Sequence, residues 1–154
     1  MTCPERRANR LPDYNYAESG WYFVTFCTAN RRPLLSRVAP TAEGAETVLL
    51  PAGKIVAEGI ACLNGRAEGF GMEKYVIMPN HVHLLIAVSG EEPGKSVSSL
   101  IRRLKSFTSR RYGEKLWQRS FYDHIVRGEA DFREIWRYID ENPLRWALDE
   151  YYKE

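Results

Sequence analysis

The stretch of sequence that decides the fold is GFGMEKYVIMPNHVHLLIAV, which runs from Gly69 to Val88. Its two apolar runs flank Pro79 and Asn80, a pair of residues typical of a tight turn. A turn this short joins strands that lie antiparallel to each other. We therefore expect a β-hairpin, with one strand at 69–78 and its partner at 81–88.

The second strand of this hairpin begins with two of the three histidines of the chain, His81 and His83. Residues two apart in a strand point to the same face, so both imidazoles project together and Val82 lies on the other side. Two histidines at this spacing in a strand are more often surface residues that bind no ligand. Here, however, their position directly after a tight turn favours the interpretation that they form half of a metal site. No cysteine is close in sequence, and imidazole with oxygen ligands suits Mg²⁺ or Mn²⁺ bound together with phosphate oxygens.

Outward from the hairpin, the apolar periodicity predicts the remaining elements. A strand is expected at 21–28, helices at 52–63, 96–112 and 130–141, and a short strand at 121–126. Residues 34–52 stay ambiguous, because Pro40 and Pro51 limit any helix there. The last helix is expected to end at Asn142 and Pro143, since proline cannot continue a helix.

The order of these elements predicts an α+β fold of ferredoxin-like type: one antiparallel sheet with helices packed on one face. At 154 residues, of which 44% are hydrophobic, the chain is expected to form one domain spanning 1–154, with a basic N-terminal arm at 1–20. Its longest uncharged apolar run, Tyr75 to Val88, is interrupted and well short of the ~20 residues of a membrane span. The first residues lack the apolar core of a secretory signal, so we expect a cytoplasmic protein.

The net charge of +2 conceals a strongly basic segment. Residues 101–127 hold eight lysines and arginines against two acids, and aromatic residues, Trp117 among them, lie between the cations. A solvated helix face is the alternative, but cations with interleaved rings favour single-stranded nucleic acid. The residues expected to bind it are Arg102, Arg103, Lys105, Arg110, Arg111, Trp117, Arg119 and Arg127.

The last helix presents Tyr138 at the edge of its apolar stripe, with Asn142 four residues further on. Residues at this spacing share a helix face, so a phenol and a carboxamide are presented together. A tyrosine beside a helix stripe is most often a packing residue. The residues alone therefore leave Tyr138 between a packing role and a nucleophilic one.

Four segments together resemble the single-tyrosine HUH transposases, in the branch of the REP-associated tyrosine transposases. They are GWYFVTFCTANR at 20–31, YVIMPNHVHLLI at 75–86, LWQRSFYDH at 116–124 and WRYIDENP at 136–143. The resemblance implies metal binding by His81 and His83, a catalytic role for Tyr138 and a third metal ligand at Asn142. For His124 it leaves two roles open, contact with DNA or orientation of the Tyr138 helix.

The function implied by the resemblance is cleavage and rejoining of single-stranded DNA, with hairpin or palindromic repeat DNA as substrate, a 5′-phosphotyrosine intermediate and Mg²⁺ or Mn²⁺ as cofactor. It leaves open whether the protein is a monomer or a homodimer. The chain ends soon after Leu148, where many relatives continue into a tail that helps bind hairpin DNA. The alternative function is a non-catalytic single-stranded nucleic-acid-binding protein with the same fold.

Overall fold

The computed structural model of the protein describes residues 20–64, 70–88 and 93–152. The basic arm expected at 1–20 lies outside these residues, except for Gly20. In chain order the elements are β1 (Gly20–Cys27), β2 (Ser36–Thr41), β3 (Gly44–Leu49), α1 (Pro51–Asn64), β4 (Phe70–Ile77), β5 (His81–Val88), α2 (Pro93–Tyr112), β6 (Tyr122–Ile125) and α3 (Glu129–Tyr152). None of the helices in the described ranges is long and apolar enough to cross a membrane.

The main sheet is antiparallel throughout and has the strand order β4-β5-β1-β6. The expected hairpin is confirmed as β4 and β5, which pair from Phe70 opposite Val88 to Ile77 opposite Val82. β1 pairs with β5 along the full length of both strands, from Gly20 opposite Val88 to Cys27 opposite His81. The α+β class with an antiparallel sheet is therefore confirmed, and the short strand expected near 121–126 is β6.

The sheet separates two apolar cores. On one face, side chains such as Val24 and Leu84 pack against α1 and α2. On the other face, Leu85 packs with Ile135 and Ile139 of α3. Because successive residues of a strand alternate between faces, the odd-numbered residues of β1 and β5 face α3. The first two helices thus share one face as expected, while α3 covers the face that carries the histidines.

The ambiguous segment at 34–52 is mainly a second hairpin, formed by β2 and β3. Its strands make a separate two-stranded sheet. Pro40 is tolerated there because each strand of such a sheet has one edge whose backbone groups need no hydrogen bond to another strand. Gly44 has a φ of +144° directly after the turn, a conformation that glycine adopts without a steric penalty. The hairpin packs against α3, since Val38 belongs to the apolar core on that face of the main sheet.

The expectation that the last helix ends at Asn142 and Pro143 is wrong, because α3 continues to Tyr152 with Pro143 inside it. An internal proline removes one backbone hydrogen bond and costs about 3 kcal/mol. Packing beyond the proline offsets this cost, since Trp146 joins the apolar core formed with Val38 and Ile139. The continued helix also carries Arg145 and Trp146 alongside the histidine face.

Candidate metal and catalytic site

The two histidines lie side by side beneath α3. The centroids of the His81 and His83 rings are 4.8 Å apart, and the side chains are 8% and 1% exposed. Their shared orientation follows from the alternation of β5, as the spacing predicts. Two neutral imidazoles are therefore held together inside the protein rather than on a polar surface.

The Nδ1 atom of each ring is already engaged by a neighbouring side chain. Thr25 Oγ1 lies 2.7 Å from His83 Nδ1, and Asn80 Oδ1 accepts a hydrogen bond from His81 Nδ1 at 2.8 Å. Such partners fix the orientation and tautomer of an imidazole and direct the lone pair of Nε2 to a ligand. His83 Nε2 is buried and has no hydrogen bond of good geometry within the described residues.

Asn142 of α3 completes this cluster. It is 7% exposed, and its Nδ2 donates a hydrogen bond of 2.7 Å to the Tyr138 carbonyl. The amide nitrogen is thereby engaged, so Oδ1 is the atom that can accept from an imidazole N–H or bind a cation. Asn142 lies close enough to both imidazoles for a hydrogen bond that opposes the lowering of their pKa.

Burial keeps both imidazoles neutral. It lowers the pKa of His81 to about 4, an effect increased by the nearby Arg31 cation. Burial also lowers the pKa of His83 well below its usual value, and the neighbouring His81 adds to that shift. Neutral imidazoles are the forms that bind metal ions.

The donor set fits a divalent cation that needs further ligands from elsewhere. Two oriented imidazole nitrogens and an amide oxygen converge here, and the orphaned His83 Nε2 is the type of atom that a metal ion satisfies. Among the described residues, no group of three or more His, Cys, Asp or Glu side chains is arranged so that it could hold a metal ion. The set is therefore sparse and neutral, which suits an ion that also takes oxygen ligands from a bound anion.

Tyr138 lies beside this cluster. Its ring centroid is 5.4 Å from that of His83 and 6.0 Å from that of Phe23, and the Arg145 guanidinium carbon lies 5.6 Å from the ring centroid. The side chain is partly exposed. All of these contacts lie within one chain, so Tyr138 is adjacent to the histidines of its own subunit.

A groove of about 760 Å³ runs along α3 next to Tyr138. Three arginines line it, Arg133, Arg137 and Arg145, together with the ring of Phe23. Arg133 and Arg145 form ion pairs with Glu129 and Glu141 on the same helix. Arg137 forms no ion pair with any described residue, so its charge is available to an anionic ligand at the tyrosine.

The turn after β1 brings a further cation to the opposite end of the site. Asn30 and Arg31 have φ values of 57° and 55°, a left-handed conformation that costs energy in residues other than glycine. The turn is held by a hydrogen bond of 3.0 Å from the Thr28 amide to the Asn80 carbonyl. Asn80 thereby links the Arg31 turn to His81, and the Arg31 side chain remains exposed.

His124 anchors the beginning of α3. Its Nε2 lies 2.8 Å from Asp131 Oδ2, and the Arg127 amide donates to the same oxygen at 2.9 Å. Burial raises the pKa of Asp131, but these two hydrogen bonds and the electrostatic attraction of His124 and Arg127 together lower it. This contact favours the second of the two roles considered for His124, orientation of the Tyr138 helix.

The arginines of α2 that are expected to bind DNA lie apart from this site. Arg102, Arg103, Arg110 and Arg111 are exposed on α2, on the face of the sheet opposite Tyr138, and Arg111 is paired with Glu58. Arg119 and Arg127 are exposed in the segments on either side of β6, and the Arg127 amide bonds Asp131, which lines the groove beside Tyr138. The structure therefore separates the α2 arginines, but not Arg127, from the catalytic candidates.

Two of the residues expected to bind DNA point inward instead. Lys105 Nζ donates hydrogen bonds to the carbonyls of Gln118 and Ser120 at 2.9 and 2.8 Å, and burial lowers its pKa to about 8. Trp117 is 3% exposed, and its Nε1 donates to Thr108 Oγ1 at 2.7 Å. Both side chains hold the 116–121 segment against α2, so we no longer assign them to DNA.

Sequence reasoning missed the residues that orient the histidines. The sequence predicts only a turn at Asn80, although its position directly before His81 is a usable signal for a second role. Thr25 carries no sequence signal, because its contact with His83 depends on the register of β1 and β5. Composition does not point to the arginines of α3 as DNA-binding residues, because the region that contains them is acidic overall.

Comparison with known proteins identifies the family to which this chain belongs. A sequence model of the family described as "Transposase IS200 like" matches residues 17–142. An uncharacterized protein of Haemophilus influenzae is 29% identical, over 96% of this chain and 93% of its own length. A REP-associated tyrosine transposase of Escherichia coli is 30% identical over 81 residues, which cover 52% of this chain and 48% of that protein.

The fold has a counterpart among solved structures. A REP-associated tyrosine transposase bound to a REP hairpin superimposes with a TM-score of 0.66 and 23% identity, over 88% of this chain and 73% of that one. The likeness at this identity is one of fold. Since the family model spans most of the sequence, the chain belongs to the IS200-like transposase family.

The lowered pKa of His81 predicts how stability depends on pH. Between the unfolded value of 6.5 and the folded value of about 4, the unfolded chain binds a proton that the folded protein does not. The free energy of unfolding therefore falls as the pH drops through this window. For the metal-free protein we expect a loss of about 2 kcal/mol at pH 5 from His81 alone, measured by urea unfolding.

The double variant His81→Gln/His83→Gln is the control for this effect. Its free energy of unfolding should fall less steeply between pH 7 and pH 5, because the two buried bases are gone. An equally steep fall in the variant would contradict the assignment to these imidazoles.

Proposed function

We propose that the protein cleaves and rejoins single strands of DNA, with Tyr138 as the nucleophile. The observation that carries this proposal is the juxtaposition of the Tyr138 phenol with a buried, oriented histidine pair in the same chain. Membership of the IS200-like transposase family supports it. A protein that only bound nucleic acid would have no use for this arrangement.

The ligands proposed for a divalent ion, Mg²⁺ or Mn²⁺, are His81 Nε2, His83 Nε2 and Asn142 Oδ1. Such an ion would neutralise charge on the phosphate and polarise its phosphorus–oxygen bonds. Asn80 Oδ1 accepts from His81 Nδ1 and so leaves the lone pair of His81 Nε2 for the ion, while Thr25 Oγ1 holds the orientation of the His83 ring. Because the protein ligands are neutral and few, we expect weak ion binding until a phosphate adds its oxygens.

The proposed reaction is a transesterification at phosphorus. The Tyr138 oxygen attacks the phosphorus, the phenol loses its proton to solvent, and the bond from phosphorus to the 3′ oxygen breaks. The 3′ oxygen takes up a proton and leaves as a hydroxyl, while the 5′ phosphate stays bound to Tyr138. Attack by a second 3′-hydroxyl reverses the step and joins the strands, so the energy of the phosphodiester is conserved.

Features of the α3 groove support a single-stranded substrate. Phe23 and Tyr138 offer aromatic rings and Arg137 offers an unpaired cation in the same groove, and this combination suits bases and phosphates of one strand. The REP-associated relative of the same fold is bound to a REP hairpin. We therefore propose hairpin or palindromic repeat DNA as the source of that strand.

Substitution of Tyr138 tests the nucleophile. The protein is incubated with Mn²⁺ and a pool of hairpin-forming oligonucleotides with randomised single-stranded flanks, and covalent adducts are separated on a denaturing gel. In Tyr138→Phe the adduct should fall by about 100-fold or more, because the attacking oxygen is absent. DNA binding should stay within about twofold, because the ring itself is retained.

Tyr112→Phe and Tyr122→Phe serve as matched controls in the same assay, and both should form adduct at the wild-type level. Adduct formation by Tyr138→Phe, or its loss in either control, would refute the assignment of Tyr138. Absence of adduct from the wild-type protein with every oligonucleotide would favour the non-catalytic binding function.

Replacement of Thr25 tests how the metal ligands are oriented. Thr25→Val preserves shape but removes the hydroxyl that engages His83 Nδ1. Loss of such a partner typically weakens metal affinity by about 10- to 100-fold. We therefore expect Thr25→Val to need an Mn²⁺ concentration about 10- to 100-fold higher for half-saturation, measured by electron paramagnetic resonance with bound DNA. The control Thr47→Val, in β3, should match the wild type. Unchanged Mn²⁺ affinity in Thr25→Val would contradict this role.

A further inference from the structure

Arg31 brings a cation to the end of the histidine pair where β1 leaves the sheet. The last residue of β1, Cys27, lies opposite His81, and the chain then turns through Arg31. The Arg31 side chain is exposed and forms no ion pair with any residue in the described ranges. Its charge nevertheless acts on the site, because it helps to lower the pKa of His81. The arginine is therefore both close to the histidines and available to an anionic ligand.

Hydrogen bonds connect the turn that carries Arg31 to His81. The Thr28 amide donates to the Asn80 carbonyl at 3.0 Å, and Thr28 Oγ1 donates to the Arg32 carbonyl at 2.8 Å. Asn80 Oδ1 accepts from His81 Nδ1 at 2.8 Å, while Asn80 Nδ2 lies 3.5 Å from the Arg31 carbonyl. One side chain thus contacts both an imidazole and the backbone of the arginine, so the turn has a fixed position beside the site.

The backbone at Arg31 has a conformation that arginine does not favour. Its φ is 55°, next to 57° at Asn30, and both values lie in the left-handed region where a Cβ atom costs energy. Glycine would adopt this conformation without that cost. Strained residues of this kind cluster at functional sites. An arginine at this position is explained if its side chain performs a task that glycine could not.

The order of residues along the sheet places Tyr138 and Arg31 at opposite ends of the histidine pair. The Tyr138 ring lies 5.4 Å from that of His83, and the Trp146 ring, two turns further along α3, lies 6.1 Å from that of His81. α3 therefore runs along β5 from His83 towards His81. The turn with Arg31 follows at the end of β1 that lies opposite His81.

This order matters for a displacement at phosphorus, in which the attacking and leaving oxygens are in line on opposite sides of the phosphorus atom. If Tyr138 attacks from the His83 end, the 3′ oxygen leaves on the side of Arg31. Negative charge develops on that oxygen as its bond breaks, and a donor already in place where charge develops lowers the barrier. Arg137 cannot take this part, because it lines the groove at the Tyr138 end.

We propose that the Arg31 guanidinium donates a hydrogen bond to the departing 3′ oxygen and stabilises the negative charge that this oxygen acquires. The inference rests on the proposed function, because attack by Tyr138 defines which oxygen leaves. The bond from the Tyr138 oxygen to phosphorus forms, and the bond from phosphorus to the 3′ oxygen breaks with its electron pair on that oxygen. Solvent then supplies the proton of the 3′ hydroxyl, since a guanidinium keeps its own protons at neutral pH.

A substrate with sulfur in place of the 3′ oxygen tests this contact. The sequence that the wild-type protein cleaves in the hairpin pool is synthesised with oxygen or with sulfur at the 3′ position of the scissile linkage, and single-turnover cleavage is measured. Sulfur carries negative charge more readily than oxygen, as the thiol pKa of about 8.5 shows, so a 3′ thiolate needs little help to leave. Arg31→Gln should therefore cleave the oxygen substrate about 100-fold more slowly than the wild type but the sulfur substrate within about threefold of it.

Arg32→Gln is the matched control. Arg32 is adjacent in the same turn, but its guanidinium is paired with Glu114 at 3.5 Å, so this variant should cleave both substrates at the wild-type rate. Arg31→Lys, which keeps the charge, should recover part of the lost rate on the oxygen substrate. The affinity of Tyr138→Phe for the uncut oxygen substrate, measured by fluorescence anisotropy, should fall less than about fivefold when Arg31→Gln is added, because the charge that Arg31 contacts develops only during the reaction.

Equal losses on the oxygen and sulfur substrates would overturn the proposal, because they would indicate a role in binding or folding. No loss on the oxygen substrate, or the same loss in Arg32→Gln, would overturn it as well. Each of these results leaves Tyr138 as the nucleophile, since the wild-type protein would still form its adduct. Absence of cleavage by the wild-type protein would instead refute the proposed function, and this inference with it.

Discussion

The register between β1 and β5 is the constraint on which the candidate site depends. It places Thr25 directly opposite His83 and Cys27 opposite His81, so the threonine hydroxyl reaches His83 Nδ1 beneath α3. A slip of one residue would turn the alternating side chains of one strand to the other face. Apolar packing on both faces prevents such a slip, because Val24 and Leu84 fill one core while Leu85 fills the other. The chemistry of the histidine pair is therefore set by the packing of the whole sheet.

The helix that carries Tyr138 is held at three points along its length. His124 contacts Asp131 near its start, Asn142 lies against the imidazoles at its middle, and Trp146 packs near His81 beyond Pro143. The position of the Tyr138 ring beside His83 is therefore fixed by contacts along the whole helix. The continuation past Pro143 is thus part of the site, because it brings Trp146 to the histidine end of the sheet.

Local sequence patterns predicted the β4–β5 hairpin, the shared face of His81 and His83 and the helical positions of Tyr138 and Asn142. They failed where tertiary contacts outweigh local preference. Pro143 predicts the end of a helix, but packing of Trp146 sustains it. Trp117 and Lys105 have the composition of a DNA-binding surface, yet they point inward, since charge counts along a segment do not show which way each side chain faces. The contact between Thr25 and His83 joins residues 58 positions apart, and no local pattern could indicate it.

The proposal on which the others depend is that His81 and His83, of which His83 Nε2 is buried without a hydrogen-bond partner among the described residues, form a metal centre beside Tyr138. Anomalous diffraction at the manganese edge tests it most directly, on crystals of Tyr138→Phe grown with Mn²⁺ and a hairpin with a single-stranded tail. We expect one anomalous peak within coordination distance of His81 Nε2, His83 Nε2 and Asn142 Oδ1, in contact with a phosphate oxygen. A peak elsewhere, or no peak at the imidazoles while DNA occupies the α3 groove, would contradict it.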